Sequence, residues 1–257
     1  MDNIILHNYP QSPVAEKVRL GLGLKKLSWS SVLIPRVPPK PDLVALTGGY
    51  RRTPVMQIGA DIYCDSQCIL RELEKRYPQP TYFPNHSQGL AWGISRWGEE
   101  VFKHSIKLVL GAAGDDLPVE FARDRGRLYF GPDWHSELIN FNKHLPRVIT
   151  QIRSHLSWID ERLAASADEY IFGNQPGLAD LELYYFVWFI RGRWEMGPEF
   201  LSEFKSLVTW EQRISTIGHG QVSDMEVDDA LEIARQSQPQ AALKSEDADP
   251  QIGRAHV

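Results

Sequence analysis

In "HNYPQSPVAEKVR", residues 7 to 19, a serine and a proline stand between a short apolar run and an amphipathic pattern. A small hydroxyl at that point, Ser12, has two uses. It caps a helix by accepting from the first free amides, or it points into the mouth of a pocket and handles a substrate. Pro13 at the first helical position suits the cap, because its missing N–H would have no partner there anyway. Other constellations carry little. The eight histidines show no H-E-x-x-H or paired spacing, so no metal is expected. Gly21-Leu22-Gly23 fails as a dinucleotide fingerprint, since Lys26 stands where the third glycine would be and the run lies in a helix. Cys64 and Cys68, a lone C-x3-C pair, read as buried structural thiols in a reducing compartment.

The elements that must position Ser12 alternate over the first eighty residues. Ile4-Ile5-Leu6 is a compact strand, and Val14, Val18 and Leu22 then form a helical stripe opposite Glu16, Lys17 and Arg19. Residues 29 to 34 give a second strand, stopped by Pro35, Pro38, Pro39 and Pro41, a stretch that neither continues a sheet nor lies inside a helix. Residues 54 to 64 form a hairpin about Gly59-Ala60. Asp65-Ser66 opens a helix with apolar residues at 69, 70, 73 and 77. The order β-α-β-x-β-β-α is one compact mixed-sheet module.

From residue 88 apolar and aromatic residues recur at spacings of 3 and 4 with few strand signals, so that half reads as all helix. Residues 111 to 134 carry Gly, Pro and Asp breakers and read as broken helix and loop. Asp115-Asp116 and Asp228-Asp229 read as solvated faces. The segment from about Gln236 onward is polar, proline-punctuated and aperiodic, and reads as disordered. The expected units are residues 1–82, residues 88–236 and a disordered tail, residues 237–257.

Hydrophobic residues make up 42% and charged residues 24%, the balance of a soluble globular chain. The net charge of −5 leaves no global positive field to hold nucleic acid or an anionic membrane, so any attraction for an anionic ligand must be local. No run approaches a membrane span and the first residues do not form a signal peptide, which makes the cytoplasm the expected location.

A β-α-β-x-β-β-α module followed by a helical domain, with "SPVAEKVR", "RRTPV", "CDSQCI" and "GLADLELYY" in that order, resembles the glutathione S-transferase superfamily. The resemblance implies an α+β fold: a thioredoxin-like N-terminal domain followed by an all-α C-terminal domain. It implies glutathione as co-substrate, a homodimer, and thiolate attack on a hydrophobic electrophile. The alternative is a non-catalytic, glutathione-transferase-like ligand-binding or scaffold protein.

Site residues follow from the same resemblance. Thr53 precedes a proline, Pro54, that the family holds in cis, and its backbone would pair with the cysteinyl part of glutathione. Asp65 and Ser66 would grip the γ-glutamyl end, with the helix amides receiving its α-carboxylate. Arg51 and Arg52 stand where several classes reach the glycyl carboxylate. Ser12 lies six residues before Val18-Arg19, as the catalytic serine does in zeta-type members; Tyr9 is the rival, since other classes use a tyrosine near the first strand. A hydroxyl donor at a helix N-terminus stabilises a thiolate, and lowering a thiol pKa by one to two units needs about 1.4 to 2.7 kcal/mol. Trp97 and Phe102 are candidates for the electrophile pocket. "GLADLELYY" matches a buried capping motif whose usual Ser or Thr is replaced by Gly177 while Asp180 stays, so one hydrogen bond of the capping box is lost.

Overall fold

The computed structural model describes residues 3–113 and 117–240. The first module runs β1 (Ile4–Asn8), α1 (Pro13–Leu24), β2 (Ser28–Leu33), α2 (Pro41–Thr47), β3 (Val55–Ile58), β4 (Asp61–Cys64) and α3 (Ser66–Arg76). Strand β1 pairs parallel to β2 and antiparallel to β3, and β3 pairs antiparallel to β4. A βαβ crossover and a hairpin thus share one sheet, as the thioredoxin-like reading requires. Gly59 turns the hairpin at φ 61°, a conformation glycine adopts without a Cβ penalty.

The second half continues through α4 (Gln88–Ala113), α5 (Val119–Phe130), α6 (Trp134–Ile139), α7 (Leu145–Ala164), α8 (Leu178–Arg193), α9 (Gly197–Leu201) and α10 (Lys205–Ser215). Helix α8 is its axis. It packs on α4 and on α1, and its buried residues face all sides, which is why its sequence shows no polar stripe. The charges of α1 expected opposite the apolar stripe are therefore buried as well: Lys17 Nζ pairs with Glu182 Oε2 at 2.9 Å, and Arg19 with Glu16 at 2.7 Å.

Gly177 has a steric reason. The amide of Leu178 donates to the Tyr82 carbonyl at 2.7 Å, so the start of α8 lies against the segment that leaves the first module. A Cβ on Gly177 would stand 2.7 Å from that oxygen and 2.6 Å from Pro84 Cδ. Asp180 performs the remaining half of the cap, accepting from Gly177 N at 2.9 Å, and also from Ile171 N and Trp210 Nε1. Burial nevertheless pushes its carboxyl up to about 6.

Several expectations change. The proline-rich stretch does contain a helix, because Pro41 sits in the first turn of α2 where its missing N–H costs nothing. The 111–134 segment is broken helix as expected, with α4 ending at Ala113, α5 spanning Val119–Phe130 and α6 starting at Trp134. The half expected to be all helical contains β5 (Gln221–Asp224), which pairs parallel to β2 and gives the sheet order β4-β3-β1-β2-β5. After it α11 (Val227–Gln236) lays Ala230 against Ile5 and Val32. Cys64 is half-buried and Cys68 exposed, rather than both buried. Asp115-Asp116 and residues 241–257, most of the expected disordered tail, lie outside the described residues. No described helix is long and apolar enough to cross a membrane.

Candidate functional site

A cleft of about 460 Å³ separates the two halves of the molecule. Its floor and one wall come from the first module: Tyr9 and Ser12 after β1, Lys40 before α2, Thr53 before β3, and Asp65 and Ser66 at the head of α3. The facing wall is helical, with Phe102 and Ile106 on α4, Phe121 and Tyr129 on α5, and Tyr185 and Phe189 on α8. Arg51 and Arg52 stand on the rim beside Thr53. Pro54 lies buried behind Thr53, and the Thr53–Pro54 bond is cis.

Ser12 is 2% exposed and caps α1, its Oγ accepting from Ala15 N at 3.2 Å. A hydroxyl is one donor and two acceptors. The cap uses an acceptor, and the Ser12 proton has no protein acceptor among the described residues. Cap and catalyst are therefore compatible, since a thiolate in the cleft could take the donor. Tyr9 is engaged differently: its hydroxyl accepts from Arg125 Nη2 at 3.2 Å.

At α3 the cap is Asp65, at φ 77°, its carboxylate accepting from Gln67 N at 2.8 Å. The Ser66 hydroxyl and the remaining first-turn amides stay available to an anion. The neighbouring Cys64 thiol does not compete as a nucleophile, because burial pushes it up to about 11.

Sequence reading found two of the cations, Arg51 and Arg52, and missed the others. Eight basic residues line the cleft against two acidic ones, in a chain whose net charge is −5. Lys17 and Lys103 pair with Glu182 and Glu100, and Arg51 and Arg125 share Asp124 on α5. Lys40 donates to Thr53 Oγ1 at 3.2 Å; burial first, then Arg125 and Arg51, pushes its ammonium down to about 8. Arg36, Arg52 and Arg193 have no acidic partner among the described residues. Apart from Arg51 and Arg52, which the RRTPV motif singled out, these groups come from five elements and loops far apart in the chain, so no local motif reveals them.

Phe102 lines the cleft, its ring 4.7 Å from that of Tyr185. Trp97, expected beside it, turns the other way: its Nε1 donates to His155 Nδ1 at 3.1 Å, and its ring packs on His155 and Trp158 of α7. The five-residue separation puts the two side chains on different faces of α4, since successive residues advance by about 100°. Among the described residues, no cluster of three His, Cys, Asp or Glu side chains could hold a metal ion.

Comparison with known proteins gives a consistent family. The model of the glutathione S-transferase N-terminal domain matches residues 6–81, and that of the C-terminal domain matches residues 142–213. A GST-like protein from Pseudomonas syringae is 33% identical, with a TM-score of 0.77 over 97% of this chain and 80% of that one. Maleylacetoacetate isomerase from Pseudomonas aeruginosa is 25% identical over 195 residues, 69% of this chain and 77% of the relative. A glutathione S-transferase of Ceriporiopsis subvermispora in complex with glutathione is 16% identical, covering 93% of this chain and 100% of its own at a TM-score of 0.67, a likeness of fold alone.

Proposed function

Since the chain belongs to the glutathione S-transferase superfamily, we propose that it binds glutathione in the cleft and activates its thiol for attack on an electrophilic carbon. The observation that carries this reading is Ser12: a nearly buried hydroxyl at the N-terminus of α1, on the cleft floor, with its proton free. The tripeptide lies along the first module. Asp65, Ser66 and the α3 amides take the γ-glutamyl end, the Thr53 backbone pairs with the cysteinyl residue, and Arg51, Arg52 and Lys40 face the glycyl carboxylate. Binding in this register brings the sulfur to Ser12.

A free thiol of this kind has a pKa near 8.5, so only a minority is thiolate at neutral pH. Donation from Ser12 and the positive end of α1 both favour the anion. The thiolate then attacks carbon: a C–S bond forms, and the leaving group departs with its bonding pair or, in an addition, the carbon skeleton keeps the electrons and takes up a proton. The helical wall holds the electrophile on Phe102, Phe121 and Tyr129. The protein is proposed to act as a homodimer in the cytoplasm.

The test is a pH titration of thiolate absorbance for glutathione bound to wild type, Ser12→Ala and Tyr9→Phe. A pKa lowered by at least one unit in wild type and restored in Ser12→Ala supports the assignment. Loss in Tyr9→Phe alone transfers the role to Tyr9. Bound glutathione with an ordinary pKa points instead to a non-catalytic binding protein, and lack of binding sinks the reading altogether.

A further inference from the structure

We propose that the second substrate is itself an anion: a small carboxylic acid whose carboxylate is held by Arg36, Arg125 and Arg193 while its apolar body packs on the helical wall. The inference rests on the glutathione reading, which it narrows from hydrophobic electrophiles in general to acidic ones.

The argument is one of charge supply. Glutathione brings two carboxylates and one ammonium. The α3 N-terminus serves one carboxylate, and Arg51, Arg52 and Lys40, all on the first module beside Thr53, serve the other. That leaves Arg36, Arg125 and Arg193, contributed by the loop after β2, by α5 and by the last residue of α8. They converge from both halves of the molecule.

Arg36 and Arg125 lie over the same ring, their guanidinium carbons 4.5 Å and 5.3 Å from the centroid of Phe121. Arg125 Nη2 also donates to the Arg36 carbonyl at 2.7 Å. Arg193 lines the same cleft from the end of α8, and partial burial, then the charges of Arg193 and Arg125, lower the pKa of Arg36. Asp124, the acid that pairs with Arg125, is shared with Arg51. Two guanidinium groups on one aromatic face, with a third lining the same cleft, repel one another unless an anion sits among them. Planar guanidinium groups match a carboxylate with paired N–H donors. Phe102, Ile106, Phe121 and Phe189 supply the apolar contact for the remainder of such a molecule.

Two probes of nearly equal size separate charge from shape: 4-chloro-3-nitrobenzoate and its neutral counterpart 4-chloro-3-nitrobenzamide. In either, glutathione thiolate attacks the ring carbon bearing chlorine, the C–S bond forms, and chloride leaves with the C–Cl pair. Affinity is read first, by quenching of tryptophan fluorescence of the full chain in the presence of unreactive S-methylglutathione. The acid is expected to bind at least tenfold tighter than the amide. The preference shrinks as salt is raised, and Arg36→Gln and Arg193→Gln each cut it at least threefold. Both side chains are exposed, so the variants fold. With glutathione, kcat/KM normalised to the uncatalysed rate follows the same order.

Equal affinity for acid and amide overturns the proposal. So does an acid that competes with S-methylglutathione, because the arginines then serve only the tripeptide. If S-methylglutathione fails to bind, the glutathione reading falls instead, and the acid-to-amide ratio on the free protein still decides whether an anion subsite exists.

Discussion

Restoring the missing hydroxyl of the α8 cap, Gly177→Ser, sets two arguments against each other with opposite signs. Capping preference alone favours serine over glycine by a few tenths of a kcal/mol. The packing opposes it, for the new Cβ would stand 2.7 Å from the Tyr82 carbonyl oxygen and 2.6 Å from Pro84 Cδ. Neither atom belongs to a flexible side chain, and moving the carbonyl stretches the 2.7 Å bond it accepts from Leu178 N. Overpacking of this kind costs about 1 to 3 kcal/mol, and weakening the hydrogen bond adds up to about 1 more. The variant is therefore expected to be less stable by about 1 to 3 kcal/mol net, a drop in Tm of about 2 to 4 °C for each kcal/mol in a chain of this size. Urea unfolding followed by far-UV circular dichroism measures it, with Gly177→Ala as the variant that adds a Cβ without a hydroxyl. A Gly177→Ser protein as stable as wild type, or more so, would refute the steric account and return the position to the ordinary capping rule.

Ser12→Ala removes the bond to Ala15 N and should lower stability by about 0.5 to 2 kcal/mol, whereas Ser12→Asp keeps the cap and should unfold near wild type while raising the pKa of bound glutathione; denaturation and thiolate absorbance of the two variants must diverge in that way. Lys40, held down at about 8, loses its charge as pH rises through that value, so affinity for S-methylglutathione should decline above pH 8, and Lys40→Arg should postpone the decline. Between about 8 and the unfolded value of 10.5 the unfolded chain binds more protons at this lysine, so its contribution to folding stability increases with pH over that window. Lys17→Met strands Glu182, which is fully buried and whose Oε1 already lacks a partner among the described residues. The loss should be about 3 to 5 kcal/mol and should be largely recovered in Lys17→Met/Glu182→Leu, a comparison made by urea midpoints.

Local pattern revealed those parts of the fold that local physics determines. The strands β1 to β4 announced themselves through short runs of apolar and aromatic residues, the hairpin through Gly59, and α1 and α3 through Ser12 and Asp65. Helix α2 was obscured because proline both ends strands and starts helices, and the four prolines before Asp42 read as one signal. Strand β5 was invisible for a different reason: Gln-Val-Ser-Asp is polar and its residues are exposed, so it carries no alternation. Its conformation is imposed by the edge of β2. In the cleft, residues next to a proline or a helix start could be picked out singly. Arg36, Arg125 and Arg193 acquire meaning only when the chain brings them to one cleft, and charge without periodicity looks like surface.

The pairing of β5 with β2 also bears on the order in which the molecule can assemble. Ser30 and Ser223, which meet across these strands, are 193 residues apart in sequence. Trp29 Nε1 donates to the His219 carbonyl, and buried Gln57 donates to that of Ala230. The first module thus has its sheet edge and part of its core filled by residues 219–230, made long after it. A nascent chain can form β1 to β4 early, but during synthesis it must carry the open edge of β2 past the whole helical half, a long-range closure that slows folding and exposes a pairing site meanwhile. A chain ended before residue 219 would retain every residue of the cleft and still leave that edge bare. Its weakness should appear as aggregation during expression rather than as a failure to recognise ligand.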